Sequence, residues 1–146
     1  MKKFPLEWLI TVKKNELKEI EVELSTINNK ISENENVIIE KQEFIKVLKS
    51  MTRGTFDSWK ISMAHKSIKD CNGIIKNLEN KREFLLKEKN LISQRYKNKD
   101  KELEALRKQK NDFISMEKQK IKNKEEAELN ELSLLMRGEY DDDEYI

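Results

Sequence analysis

Apolar residues recur in alternating steps of three and four through almost the whole chain. The first seam reads Ile10, Lys13, Leu17, Ile20, Leu24, Ile27, Ile31, Asn34, Ile38, Lys41, Ile45 and Leu48. A second reads Ile61, Ala64, Ile68, Cys71, Ile75, Leu78, Arg82, Leu85, Lys89, Ile92, Tyr96, Lys99, Leu103, Leu106, Lys110 and Phe113. A heptad rhythm held this long predicts a coiled coil, because it keeps one narrow stripe of each helix facing a partner. Charged residues are 40% of the chain and apolar ones 36%, so a narrow seam is all that the composition can bury.

Pro5 suits the first turn of a helix, where its missing N–H costs nothing, and no Gly or Pro follows until Gly54. Helix one is expected over about 5–50. Residues 51–58 gather Gly54 and three N-cap residues, Thr55, Asp57 and Ser58, which places the turn at about 51–57. Helix two follows over about 58–136, with Gly138 as its stop and an acidic tail over 138–146. The expected fold is all-α: one domain, a long antiparallel two-helix coiled-coil hairpin with an overhanging C-terminal helix. At 1.5 Å per residue the helices are roughly 70 and 115 Å long. Helix one then covers helix two only to about residue 105, and the rest needs another protein.

That overhang has its own apolar group, Leu129, Leu132, Leu135 and Met136, out of phase with the second seam. The phase shift between residues 117 and 128 points to a change of partner. Charge is uneven as well. Residues 1–50 carry nine positive and nine negative groups, 51–124 carry twenty and ten, and 125–146 carry one and nine. The basic excess is interleaved with Glu and Asp around a helix and accompanies no zinc-finger, basic-zipper or helix-turn-helix pattern, so a solvated face outweighs nucleic-acid binding.

Catalytic parts are scarce. Gly54, Gly73 and Gly138 are the only glycines and His65 the only histidine, which leaves no glycine-rich phosphate loop, histidine metal site or triad. Carboxylates such as Glu125, Glu126 and Glu128 read as solubilising, and a hairpin has no wall from which to shape a deep pocket. No enzyme activity, cofactor or metal is expected. The lone Cys71 lies on a seam as a small hydrophobe and fits a reducing compartment. The apolar cluster near the N-terminus, interrupted by Glu7, lacks the form of a secretion signal, and no apolar run reaches the roughly 20 residues that span a bilayer.

Polar residues within the seams, Asn34, Lys41, Arg82, Lys89, Lys99 and Lys110, have two readings: they fix register at some cost in stability, or they loosen the hairpin for bending and exchange. Phe56, Trp59 and Met63, with Met51, cluster at the turn, where they form either a small tip core or an interaction surface. Phe4, Trp8 and Leu9 make a comparable group at the other end, partly available to a partner.

The run Glu125-Glu126-Ala127-Glu128-Leu129-Asn130-Glu131-Leu132-Ser133, ending in Met136-Arg137, resembles the E-x-x-E-L-D-E-L-A segment and following arginine that close the flagellar export stalk proteins of the FliJ family. Phe4-Pro5-Leu6-Glu7 and Glu16 are similar to that family's opening, and length, hairpin plan and turn position agree over essentially the full chain. Asn130 replaces the family's acid, and the DDDEY tail is an addition. The resemblance implies a non-catalytic component of the type III flagellar export apparatus, cytoplasmic and peripheral at the inner face of the cell membrane. Such a stalk inserts into the export ATPase ring, stimulates it, and contacts the export gate and substrate chaperones. By position Leu129, Glu131, Leu132 and Arg137, with neighbouring Leu135 and Met136, belong to the ring-facing end. Phe56, Trp59 and Met63 are the expected gate or chaperone contacts, from exposure alone. The equivalent stalk of a virulence injectisome and a coiled-coil scaffold unrelated to secretion are the alternatives.

Overall fold

A computed structural model describes residues 1–144, with side chains to 138. The chain is a helical hairpin of α1 (Glu7–Thr52) and α2 (Ser58–Glu144), with no strand among the described residues. Glu7 in the first turn of α1 and Lys49 in the last complement its dipole. Two devices make the turn. Gly54, at φ +88°, takes the left-handed conformation that ends α1, while Thr52 Oγ1 donates to the Lys49 carbonyl at 2.8 Å. Asp57 then caps α2, its Oδ1 accepting from the Trp59 and Lys60 amides at 3.0 and 3.4 Å.

The far end of α2 departs from expectation, because the helix continues through Gly138 to Glu144. A mid-helix glycine costs only about 1 kcal/mol relative to alanine, and it stops a helix by adopting positive φ, which among the described residues only Gly54 does. The side chains of the expected acidic tail beyond Gly138 lie outside the described residues.

Contacts divide the chain into two compact units, Glu16–Lys99 and Met1–Asn15 with Asp100–Ile146. In the first, one core cluster joins Ile38 and Ile45 to Cys71 and Ile75, flanked by Ile68 and Leu78. Another joins Ile27 and Ile31 to Leu85, flanked by Leu24 and Ile92. Every first-seam position is buried or half-buried, and so is every second-seam position except Arg82.

The polar seam residues explain the register. Asn34 is buried, and its Nδ2 donates to the Leu78 carbonyl of the opposite helix at 3.1 Å. Arg82 pairs with Glu35 at 3.0 Å, Lys99 with Glu16 at 2.9 Å, and Arg95 with Glu23 at 2.9 Å. Tyr96 Oη donates to Glu21 at 3.3 Å. Each exposed ion pair contributes little stability, at most about 1 kcal/mol, but they run through the unit in one consistent offset, and a slipped register breaks them together.

Those three ion pairs join residues whose numbers add to between 115 and 118. At that offset Thr52, the last residue of α1, stands level with residues 63–66 of α2 (115 to 118 less 52). The first turn of α2 therefore has no α1 residue beside it.

The flanks of the seam differ. On one side α1 presents Val22, Val37, Phe44 and Met51, and α2 presents Met63, Ile74, Phe84 and Leu91, all exposed. The other side carries Glu21, Asn28, Glu35, Gln42 and Lys49 from α1 and His65, Asn72, Glu79 and Ser93 from α2, with Leu86 as the apolar exception.

In the second unit, Ile10, Leu103 and Leu106 are buried, Lys13 pairs with Glu102 at 2.7 Å, and Lys110 with Glu7 at 2.9 Å. Phe4, ahead of α1, packs on Phe113 with ring centroids 5.6 Å apart and planes at 56°. Helix two is thus covered past the expected limit near residue 105. The helices are offset from a symmetric fold about the turn, and the residues before Glu7 lengthen the cover. Glu117, one seam step beyond Phe113, is the last buried residue among those whose side chains are described.

Candidate functional site

Beyond Glu117 every described residue, 118–138, is exposed. This segment of α2 has a basic beginning, Lys118, Lys120, Lys122 and Lys124, and an acidic continuation, Glu125, Glu126, Glu128 and Glu131. Continuing the seam rhythm from Phe113 gives Glu117, Lys120, Lys124, Ala127 and Glu131, so the stripe that pairs with α1 stops being apolar. Apolar character moves to another face of the helix. Leu129, Leu132, Leu135 and Met136 are each more than half exposed, at 66%, 58%, 69% and 65%.

Glu131 and Arg137 are exposed on the same segment, within a helical turn of Leu135 and Met136. The structure therefore places all six residues expected at a ring-facing end on one exposed length of helix: Leu129, Glu131, Leu132, Leu135, Met136 and Arg137. Leu134, 65% exposed, belongs to the same segment. Sequence reasoning passed over it because it falls back on the old seam phase; the run of three apolar residues from Leu134 to Met136 was the available signal. Five exposed large apolar residues within eight positions offer a partner about 60–120 Å² each, by the usual relation of transfer free energy to area.

A second exposed group sits at the turn, within the unit Glu16–Lys99. Phe56 is fully exposed, Trp59 69% and Met63 48%. The register accounts for Trp59, which rides on the first turn of α2 past the end of α1; Met63 stands level with Thr52 and is exposed because it lies on the flank, off the seam. Met51, Thr52, Trp59 and Met63 line a shallow groove of about 340 Å³ floored by Leu48 and Ala64. Trp59 and Met63 thus share one depression, whereas Phe56 projects away from it and lines none of it. Of the two readings of this cluster, a closed tip core does not form.

At the opposite end of the chain order, Phe4 is taken up by Phe113, Leu9 is half-buried, and Trp8 stays 62% exposed. His65 is exposed on the polar flank, and Cys71 is buried in the seam. No group of three or more His, Cys, Asp or Glu side chains among the described residues is placed to hold a metal ion. No helix among them is long and apolar enough to cross a membrane. Comparison with protein families, with curated proteins and with solved structures finds no match.

Proposed function

We propose that this chain is a non-catalytic stalk of the flagellar type III export apparatus, which docks its C-terminal helical segment in the ring of the export ATPase, stimulates hydrolysis, and links the ring to the export gate and substrate chaperones. The observation that carries the reading is the length of α2 from 118 to 138, which is wholly exposed yet carries an apolar stripe. A helix that needed only to be soluble has no use for Leu129, Leu132, Leu134, Leu135 and Met136 in contact with water. The same segment holds the residues that resemble the closing motif of the FliJ family. Within each unit, burial along the seam and cross-helix ion pairs hold α2 against α1.

Docking draws on apolar area for affinity and on charge for orientation. The leucines enter the ring's inner surface, Glu131 and Arg137 set the angle, and the lysines before Glu125 meet acidic groups nearer the mouth. Trp59 and Met63, at the turn, are the surface for the gate or a chaperone, with Phe56 beside them.

The test is the doubly substituted Leu129→Asp/Leu132→Asp protein, added to the cognate flagellar export ATPase. Loss of stimulation with an unchanged helical spectrum supports the reading; full stimulation by the folded double variant removes these residues from the contact.

A further inference from the structure

The apolar flank within Glu16–Lys99 is a surface that neither the seam nor the C-terminal segment uses. Two grooves run along it. One, of about 550 Å³, is lined by Val22, Thr26 and Ile27 of α1 and by Leu91 and Ile92 of α2. The next, of about 600 Å³, is lined by Asn34 and Val37 of α1 and by Leu78, Phe84 and Leu85 of α2. Lys30 and Glu88 border both, so the two are continuous.

We propose that this flank joins two copies of the chain into a four-helix bundle about a two-fold axis parallel to the helices of this unit. Self-complementarity argues for a second copy. At the register of the observed Glu23–Arg95 pair, Lys30 stands level with Glu88, and Phe44 with Ile74. A two-fold along the helices sets the α1 side of one copy against the α2 side of the other at the same level. Lys30 then meets Glu88, Glu23 meets Arg95, and Phe44 meets Ile74. A two-fold across the helices at the Lys30 level instead sets Lys30 against Lys30, Glu88 against Glu88 and Arg95 against Lys81, joining like charges, whereas the parallel arrangement joins opposite ones and sets Val37 against Lys81. In the parallel arrangement each α1 also lies antiparallel to its new neighbour, the favoured packing of helix bundles.

The area suits a weak dimer. Six exposed large apolar side chains on this flank away from the turn, Val22, Val37, Phe44, Ile74, Phe84 and Leu91, at roughly 60–120 Å² each and about half uncovered, give on the order of 180–360 Å² of apolar surface per copy. Interfaces are typically about 60% apolar, which brings the total to roughly 300–600 Å² per partner, below the roughly 800 Å² of a standard interface and in the range of a weak, concentration-dependent dimer. Phe84 and Leu91, 61% and 69% exposed and one heptad apart, are the anchors.

Sedimentation velocity of the full chain, from micromolar to millimolar concentration, tests this. The expected result is a monomer–dimer equilibrium that Phe84→Glu/Leu91→Glu converts to monomer with its helical spectrum intact. Lys30→Glu should raise the dimer dissociation constant at least tenfold, and Lys30→Glu/Glu88→Lys should restore it. A monomer at every concentration overturns the proposal, as does a dimer that survives Phe84→Glu/Leu91→Glu. A dimer indifferent to Lys30→Glu overturns the two-fold arrangement. None of these outcomes depends on what the C-terminal segment binds.

Discussion

Replacing Asn34 with leucine should stabilise the hairpin. Asn34 is only 6% exposed; its Nδ2 donates to the Leu78 carbonyl at 3.1 Å, while its buried Oδ1 has no hydrogen-bond partner among the described residues. The substitution forfeits one hydrogen bond, worth about 0.5–1.5 kcal/mol net. It does not orphan the carbonyl, since Leu78 lies inside a helix where the backbone N–H four residues on donates to it. It removes a buried unpaired acceptor that costs about 1–3 kcal/mol. It also adds an apolar side chain of nearly the same shape among Ile31, Ile38 and Leu85, for about 1.5–2 kcal/mol. The balance is a gain of about 1–4.5 kcal/mol, read as a rise in midpoint of some 2–4 °C per kcal/mol for a chain of this size. Thermal and urea unfolding followed by circular dichroism measure it. An unchanged or lowered stability in Asn34→Leu would refute the reasoning, and would mean that the Leu78 bond outweighs the unpaired oxygen. The gain comes with looser register, because a leucine fits opposite any apolar neighbour whereas Asn34 bonds only where Leu78 stands.

Leu85→Ala should cost about 2–4 kcal/mol, because Leu85 is 5% exposed between Ile27 and Ile31 and its loss opens a void in a thin core; urea midpoints check this. Asp57→Ala should cost about 1 kcal/mol by uncapping α2, and Asp57→Ser should recover most of it, as read by thermal melting. Leu129→Asp/Leu132→Asp should leave the melting temperature within a degree or two, since both side chains already face water; a large fall would show that they pack within the chain.

The seams were legible in the sequence because heptad spacing is a local property. From Ile10 to Leu48 no predicted seam residue is exposed, and from Ile61 to Phe113 only Arg82 is. The turn was legible for the same reason, with Gly54 and Asp57 carrying their own conformational signals. Register was not, because it depends on pairs far apart in the chain. Glu7 with Lys110 and Phe4 with Phe113 carry the cover of α2 beyond the limit that helix lengths alone suggested. Gly138 misled because a glycine permits a helix end without enforcing one. In the candidate site, exposure of Leu129, Leu132, Leu135 and Met136 follows from the overhang of α2 beyond its cover, since Leu134, in the old seam phase, is equally exposed. The exposure of Trp59 has a cause that spacing did not reveal, the offset that carries the first turn of α2 past Thr52, whereas Met63 is exposed because it lies off the seam between Ile61 and Ala64.

The apolar flank went unremarked in the sequence for a related reason. Val37, Phe44, Phe84 and Leu91 lie outside the seams, and only the fold shows that residues so far apart share one side.

The most direct test of the stalk account is ATP hydrolysis by the cognate flagellar export ATPase, titrated with the full chain and with a chain truncated before Glu125. The account predicts that the full chain stimulates turnover and that the truncated one, with its seams intact and its helical spectrum preserved, does not. Neither binding nor stimulation by the full chain would contradict the stalk function; equal stimulation by both would contradict the role of the C-terminal segment.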